Sequence, residues 1–447
     1  LKNKPTFQKR SGKELEDLEL KVLAPYAMLS RGAHSTRQFD EQEHDYRTSF
    51  QRDRDRIIHS RAFRRLKHKR QVFLTTSSDH YRTRITHTLE VSQLSRTLAR
   101  VLGLNEDLVE AIALGHDLGH TPFGHLGEVV LDEIMSGKRI FEKQTHQNFG
   151  GFKHNYQSLR VVDFLERKYS FAGLNLSAPV REGILKHTRL KRGRFDFPDF
   201  CYAGLHFELD AAITLEGQVV AICDEIAQRT HDLEDGIRAG LVELQKVQEL
   251  QIVQRVEENL EITSLATEDP GLYQGLLVKG LINFLIDDVI ECTLKNIAKF
   301  YQQKGRLSHF DEELFHFSHK MNPLQKELNK FIYKEIINFS RVQWSDELGR
   351  KLLYRLFESY YYDPSLLPDY LPNKYSQQKE DQSKKPSPEV LQEDSYYFRT
   401  ICDYIAGMTD QYAIREVKRL GRLKKFEIND LNLELALGEY EKIGQAK

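Results

Sequence analysis

No proline occurs between Pro25 and Pro122. Across that stretch the apolar residues recur at helical spacing. Ile58, Ala62 and Leu66 fall every fourth residue, and Val91, Leu94, Leu98 and Val101 follow a 3-4-3 pattern. Leu108, Ile112 and Gly115 continue the period, with Asn105 or Glu106 as the start of their helix. Alternation with period two, the mark of half-buried strands, is scarce. The chain is therefore expected to be all-α.

The 447 residues are 40% hydrophobic and 29% charged, the profile of a globular protein with room for a large core. Lys plus Arg (65) and Asp plus Glu (66) nearly cancel, which argues against a polycationic coat for nucleic acid. No apolar run has the roughly 18–20 residues of a membrane span, and no secretory signal is read at the start. Cys201, Cys223, Cys292 and Cys402 show no CxxC spacing, so a reducing cytoplasm is the expected location. Five of the twelve prolines fall between Pro364 and Pro388. The stretch 373–395 is rich in Lys, Gln, Ser and Glu, and is expected to be a mobile loop before a last helical segment near Tyr396 to Tyr412.

Seven of the 17 histidines lie between His80 and His154. The sharpest element is GHDLGH at 115–120. If helical, it puts His116 and His120 on one face, with the Asp117 carboxylate at the same end. Imidazole nitrogens with carboxylate oxygens suit a divalent metal such as Mn, Fe, Co or Zn, with Mg as a further possibility. His87 lies on a preceding helix expected to begin near Thr86. Asp224 follows the apolar run Val219 to Cys223, where a carboxylate needs a partner, and a metal ion would provide one.

A His, then His-Asp, then a remote Asp resembles the signature of the HD-domain metal-dependent phosphohydrolases. The flanking segments are similar to one branch of them, the deoxynucleoside triphosphate triphosphohydrolases (dGTPase-like). They are RDRDRIIHSRAFRRL at 52–66 with QVF at 71–73, RTRITHTLEV at 82–91, HDLGHTPFGH at 116–125, HDLEDG at 231–236 and DYIAGMTD at 403–410. The resemblance implies an HD fold with additional C-terminal helices. Residues 1–50 would form an N-terminal extension, 51–240 the core with the metal and catalytic residues, and 241–447 a helical region completing the site.

The activity implied is attack of water on the α-phosphorus of a dNTP, releasing deoxynucleoside and triphosphate. The implied metal ligands are His87, His116, Asp117 and Asp224. Arg84 would reach the phosphates, and His120 would line the phosphate site. His125 and Glu128, spaced i, i+3, would form an acid–base pair with the carboxylate orienting the imidazole. His154 is the second candidate to protonate the leaving oxygen. Gln71 matches the position that contacts the sugar, and Asp232 is the second sugar candidate. Gln228 stands where many relatives of that branch carry Tyr, a departure that bears on substrate preference. Asp403 and Tyr404 fit the C-terminal motif without an assigned contact.

Residues 52–70 carry nine basic side chains against two acidic ones. They are expected to be mostly a solvated, ion-paired face, and single-stranded nucleic acid is a further partner they suggest. A nucleotide activator and a homo-oligomer follow from the resemblance, and a membrane partner does not. Two rival readings remain at this level: another HD phosphohydrolase such as a nucleotidase or signalling-nucleotide hydrolase, and a nucleotide-sensing or nucleic-acid-binding scaffold with a vestigial site.

Overall fold

The fold was established from a computed structural model that describes residues 9–32, 36–71, 82–141, 148–190, 205, 210–368, 391–392 and 394–422. Among the described residues there is no strand, only the isolated bridges Arg70 to Thr83 and Arg167 to Gly173. The protein is all-α, as the periodicity predicts.

Three helices, α1 (Gly12–Val22), α2 (Ser49–Ile58) and the short α3 (Arg61–Arg65), precede the pair α4 (Arg84–Leu102) and α5 (Glu106–Gly115). Side-chain caps set their starts. Thr48 and Gln51 form a capping box, the Ser60 hydroxyl accepts from Phe63 N, and Asn105 Oδ1 accepts from Leu108 N at 3.3 Å. Next come α6 (His125–Met135) and α7 (His154–Arg160), the latter running into a π-turn at Val161–Leu165, then α8 (Ala178–Leu185) and α9 (Leu215–Arg238). The C-terminal part holds α10 (Leu244–Gln248), α11 (Gln251–Leu260), α12 (Leu265–Glu268), α13 (Pro270–Lys304) and α14 (Met321–Ile332). It closes with α15 (Ser340–Tyr362), α16 (Ser395–Ala406) and α17 (Asp410–Arg422).

These helices bury two apolar clusters. The larger centres on α4, α5 and α9, with Leu98, Leu108, Ile112, Val219 and Ile226 fully buried, and it extends to α13 and α14. The second packs α6 against α15, α16 and α17 through Leu131, Ile134, Leu353, Phe357 and Phe398. Each such side chain contributes about 1.5–3 kcal/mol of burial, so α6 is held by helices more than 200 residues away in sequence.

Several sequence expectations shift. The helix carrying His87 starts at Arg84 behind the cap residue Thr83, two residues before Thr86. His116 is the C-terminal cap of α5, and residues 116–119 form turns, so His116 and His120 do not share a helix face. The segment expected at 396–412 is two helices broken at Gly407–Thr409. Most of the loop expected at 373–395, like Cys201, lies outside the described residues.

Candidate active site

The turn after α5 is fixed by Gly119. A Cβ there would lie 2.1 Å from Ser158 N and 2.4 Å from His154 O, so the turn can lie against α7 only as glycine. Gly119 N donates to Ser158 Oγ at 2.8 Å, and that hydroxyl donates to His116 O at 2.8 Å. Phe123 and Gly124 both take positive φ, 62° and 65°, and turn the chain into α6.

Three helices deliver the metal-type residues to one place. His87 Nε2 lies 2.9 Å from Asp224 Oδ1, and His116 Nε2 lies 3.6 Å from the same oxygen and 3.4 Å from Asp117 Oδ1. Ligand atoms of His87, His116 and Asp224 lie within 4.8 Å of one another. Asp117 belongs by the same measure with His120 and His154, so its carboxylate joins two groups of potential ligands.

Hydrogen bonds on the outer ring nitrogens of His87 and His116 turn the Nε2 atoms towards the carboxylates. His116 Nδ1 donates to Ala113 O at 2.6 Å, and its Nε2 is buried without a hydrogen bond. His231 Nε2 lies 2.6 Å from Glu90 Oε2, and its Nδ1 lies 3.2 Å from His87 Nδ1. Burial holds His231 down at about 4, hence neutral. Its proton then belongs on the Glu90 side, which turns its Nδ1 towards His87 Nδ1, while His87 Nε2 faces Asp224 Oδ1. Burial opposes charge on His116, but Asp117 and Asp224 outweigh it and raise the ring to about 9. Both carboxylates resist burial and sit well below the usual range, Asp117 because of His120, His116 and Arg84, and Asp224 because of His116 and His87. A buried orphan nitrogen among ionised carboxylates fits a divalent cation in place of that proton.

These groups open on a cavity of about 590 Å³ whose walls include Gln71, Arg84, His120, His125, His154 and Asp232, with Gln228 also on its lining. Arg84 Nη1 donates to Asp117 Oδ2 at 2.7 Å, and His120 Nε2 lies 3.0 Å from Asp117 Oδ1. Burial and the Arg84 charge push His120 well down, so it is neutral. Gln71 Oε1 is buried without a hydrogen bond. Burial, reinforced by Asp235, raises Asp232 to about 8, which makes it a protonated donor at neutral pH.

The expected His125–Glu128 pair is replaced by another. Glu128 Oε2 meets His154 Nδ1 and accepts from His154 N at 3.1 Å, while Lys153 Nζ donates to Oε1 at 2.6 Å. The reason lies in the two positions on α6. His125 opens the helix on an exposed face at the cavity, whereas Glu128, one turn on, points inward against the start of α7. Partial desolvation by the cavity wall lowers the His125 pKa although its side chain keeps contact with solvent. His154 itself is buried, its ring stacked on His120 with centroids 3.9 Å apart.

The sequence reading assigned no role to His187, His231, Glu90 or Lys153. His187 lies just after α8 and donates Nδ1–H to Ile184 O at 2.7 Å. Burial holds it neutral, down at about 3, so its Nε2 accepts from His154 Nε2 at 3.1 Å. His231 could have been found, because it lies seven residues past Asp224 on one helix and so returns to the same face. His187 is a lone histidine after a helix and carries no such signal.

The basic segment is tied down mainly by partners outside it. Asp53 pairs with Arg37, Asp55 with both Arg47 and Arg54, Arg54 also with Asp107, Arg56 with Glu41, and Arg70 with Asp346.

Comparison with known proteins agrees with this geometry. The HD domain matches residues 84–229, and the phosphohydrolase-associated domain matches residues 315–419. A deoxyguanosinetriphosphate triphosphohydrolase-like protein of Brucella ovis is 41% identical over 414 residues, covering 89% of this chain and 95% of its own. Proteins of the same description from Geobacter sulfurreducens and Geobacter metallireducens are 39% and 38% identical, covering 91% and 92% of this chain and 97% of theirs. With an HD domain over residues 84–229 and relatives matched along nearly the whole chain, this protein belongs to the HD-domain family of deoxyguanosinetriphosphate triphosphohydrolase-like proteins.

Proposed function

We propose that this protein hydrolyses deoxynucleoside triphosphates at the α-phosphorus, giving a deoxynucleoside and inorganic triphosphate. The observation that carries the reading is a single cavity where the His87, His116, Asp117 and Asp224 set adjoins Arg84, four further histidines, and the sugar-type contacts Gln71 and Asp232. A divalent cation held by His87, His116, Asp117 and Asp224 would neutralise phosphate charge and acidify a water.

The remaining work falls to the side chains. Arg84, anchored on Asp117, offers its guanidinium to the phosphates, and His120 adds a neutral donor or acceptor beside it. The oxygen of water bonds to the α-phosphorus as the bond to O5′ breaks, so O5′ must gain a proton. Glu128 fixes His154 through Nδ1, which leaves Nε2, now shared with His187, as the nitrogen that can give up a proton. His125 stands at the cavity as the acid–base group in contact with solvent. Gln71 Oε1 and the protonated carboxyl of Asp232 present hydrogen-bonding partners for a deoxyribose hydroxyl.

The test is a panel of the four dNTPs with Mn, Mg, Fe or Co, carried out in ¹⁸O-water. Deoxynucleoside and triphosphate should appear together, with the label in triphosphate alone. Monophosphate with pyrophosphate, or stepwise release of phosphate, would favour another HD phosphohydrolase. No turnover with any metal would favour a sensing scaffold.

A further inference from the structure

Asp117 stands between two groups of ligand-type side chains. Only the first, His87, His116 and Asp224, joins it as a metal set in the proposed reaction. The second is His120 and His154. With Asp117 they are all buried, and one ligand atom of each lies within 4.8 Å of the others. Asp117 Oδ1 is common to both sides, 3.4 Å from His116 Nε2 and 3.0 Å from His120 Nε2. An oxygen so placed can serve an ion on either side.

The surroundings of the second group are those of a ligand set. Glu128 Oε2 meets His154 Nδ1, the carboxylate–imidazole arrangement that orients metal-binding histidines and leaves the opposite nitrogen for the ion. The His120 and His154 rings stack at 18° between planes, so each holds the other in place. The neighbouring cations are already paired. Arg84 Nη1 donates to Asp117 Oδ2 at 2.7 Å and Lys153 Nζ to Glu128 Oε1 at 2.6 Å, which leaves Asp117 Oδ1 and Glu128 Oε2 to the histidines. All three residues line the catalytic cavity, where solvent can complete the shell of an ion. Two imidazoles and one carboxylate suit zinc or cobalt, whereas magnesium prefers oxygen ligands.

The second group should bind more weakly than the first. His120 Nδ1 is buried without a hydrogen bond, so an ion on Nε2 would leave the ring N–H at Nδ1 unpaired. That difference corresponds to about tenfold or more in affinity. Repulsion between two dications sharing one carboxylate acts in the same direction.

We propose that Asp117, His120 and His154 form a second metal site for a nitrogen-preferring divalent ion such as zinc or cobalt, and that filling it arrests turnover. The ion bonds to His154 Nε2, which otherwise donates to His187, and the proton on that nitrogen passes to bulk water. The ring then has no Nε2 proton to give to the departing O5′. The site stands on the geometry of the three residues, while the arrest rests on the proposed function with His154 as proton donor.

Equilibrium dialysis of the metal-free, full-length protein against buffered cobalt, read by elemental analysis and visible absorption, tests the site. Wild type should take up two ions per chain in two steps, the second at about tenfold or more higher free cobalt. His120→Ala and His154→Ala should each hold one ion at the first-step affinity of wild type, which also shows that they are folded. Turnover of a dNTP by wild type, followed over the same free-cobalt range, should rise with the first ion and fall with the second. Uptake of a single ion by wild type, or of two by both histidine variants, would overturn the site. Two ions with no fall in turnover would overturn the arrest. Absence of turnover at every loading would be a failure of the catalytic reading, and the ion count would still decide the site.

Discussion

The carboxylate of Glu128 engages His154 twice, accepting its backbone N–H at 3.1 Å and meeting its ring at Nδ1. The contact fixes both the ring orientation and the nitrogen that faces the site. His187, neutral, then accepts from Nε2. His154 is therefore held on both sides before any substrate enters.

Removing either member should slow turnover without loss of metal. His154→Asn is expected to lower kcat by about 10²–10⁴, the usual worth of a positioned acid–base group. Glu128→Gln should cost less, because the amide oxygen can still accept from Nδ1. His125→Ala separates the two histidines: if His125 carries the proton, its kcat falls by a similar factor and the His154 variant changes mainly KM. Rapid-quench product analysis alongside metal content by elemental analysis decides between them.

His231 links Glu90 to His87 and so orients the ring whose Nε2 faces Asp224. Loss of such an outer partner typically costs 10- to 100-fold in metal affinity. His231→Ala is expected to weaken metal binding by about that factor in a competition with a chromophoric chelator. Asp117→Ala should abolish metal binding and activity together. Unchanged affinity in His231→Ala would show that the relay does not tune the ligand.

How far these residues were legible depends on how many neighbours each one needs in sequence. His116 and Asp117 are adjacent, and Asp224 follows an apolar run that makes a carboxylate conspicuous, so the sequence alone could nominate them. The helical period exposed the fold class for the same reason, since it repeats locally. The Glu128–His154 contact was not legible, because i, i+3 spacing pointed to His125 and only the packing of α6 against α7 turns the carboxylate away. The second apolar cluster was equally hidden. It joins α6 to α15, α16 and α17 by contacts that leave no periodic trace.

Burial and Asp235 raise Asp232 from 3.8 to about 8. Because the folded value is the higher one, its contribution to stability is present in full below about 3.8, declines as pH rises, and is gone above about 8. The metal-free Asp232→Asn protein should therefore melt above wild type at pH 8 and close to it near pH 4. In turnover, wild-type kcat/KM should fall on the alkaline side through about 8 as the donor ionises. Asp232→Asn, which keeps a donor at every pH, should lose that limb. A wild-type limb that survives the substitution would assign the ionisation to another group.

Asp410, the first residue of α17, accepts from Arg70 N at 2.9 Å through Oδ2 and from Phe123 N at 2.9 Å through Oδ1. One carboxylate thus ties the turn carrying Gln71 to the turn carrying His125, and Phe123 needs the support because its φ is 62°. Asp410→Asn would set an amide N–H against one of the two backbone donors. A buried N–H left without a partner costs about 1–3 kcal/mol, so urea denaturation should show a loss of that size. KM for dNTP should rise together with a fall in kcat, as both walls of the cavity loosen, while the metal set on α4, α5 and α9 keeps its affinity. If stability falls but KM and kcat stay at wild-type values, Asp410 supports the fold without positioning the site.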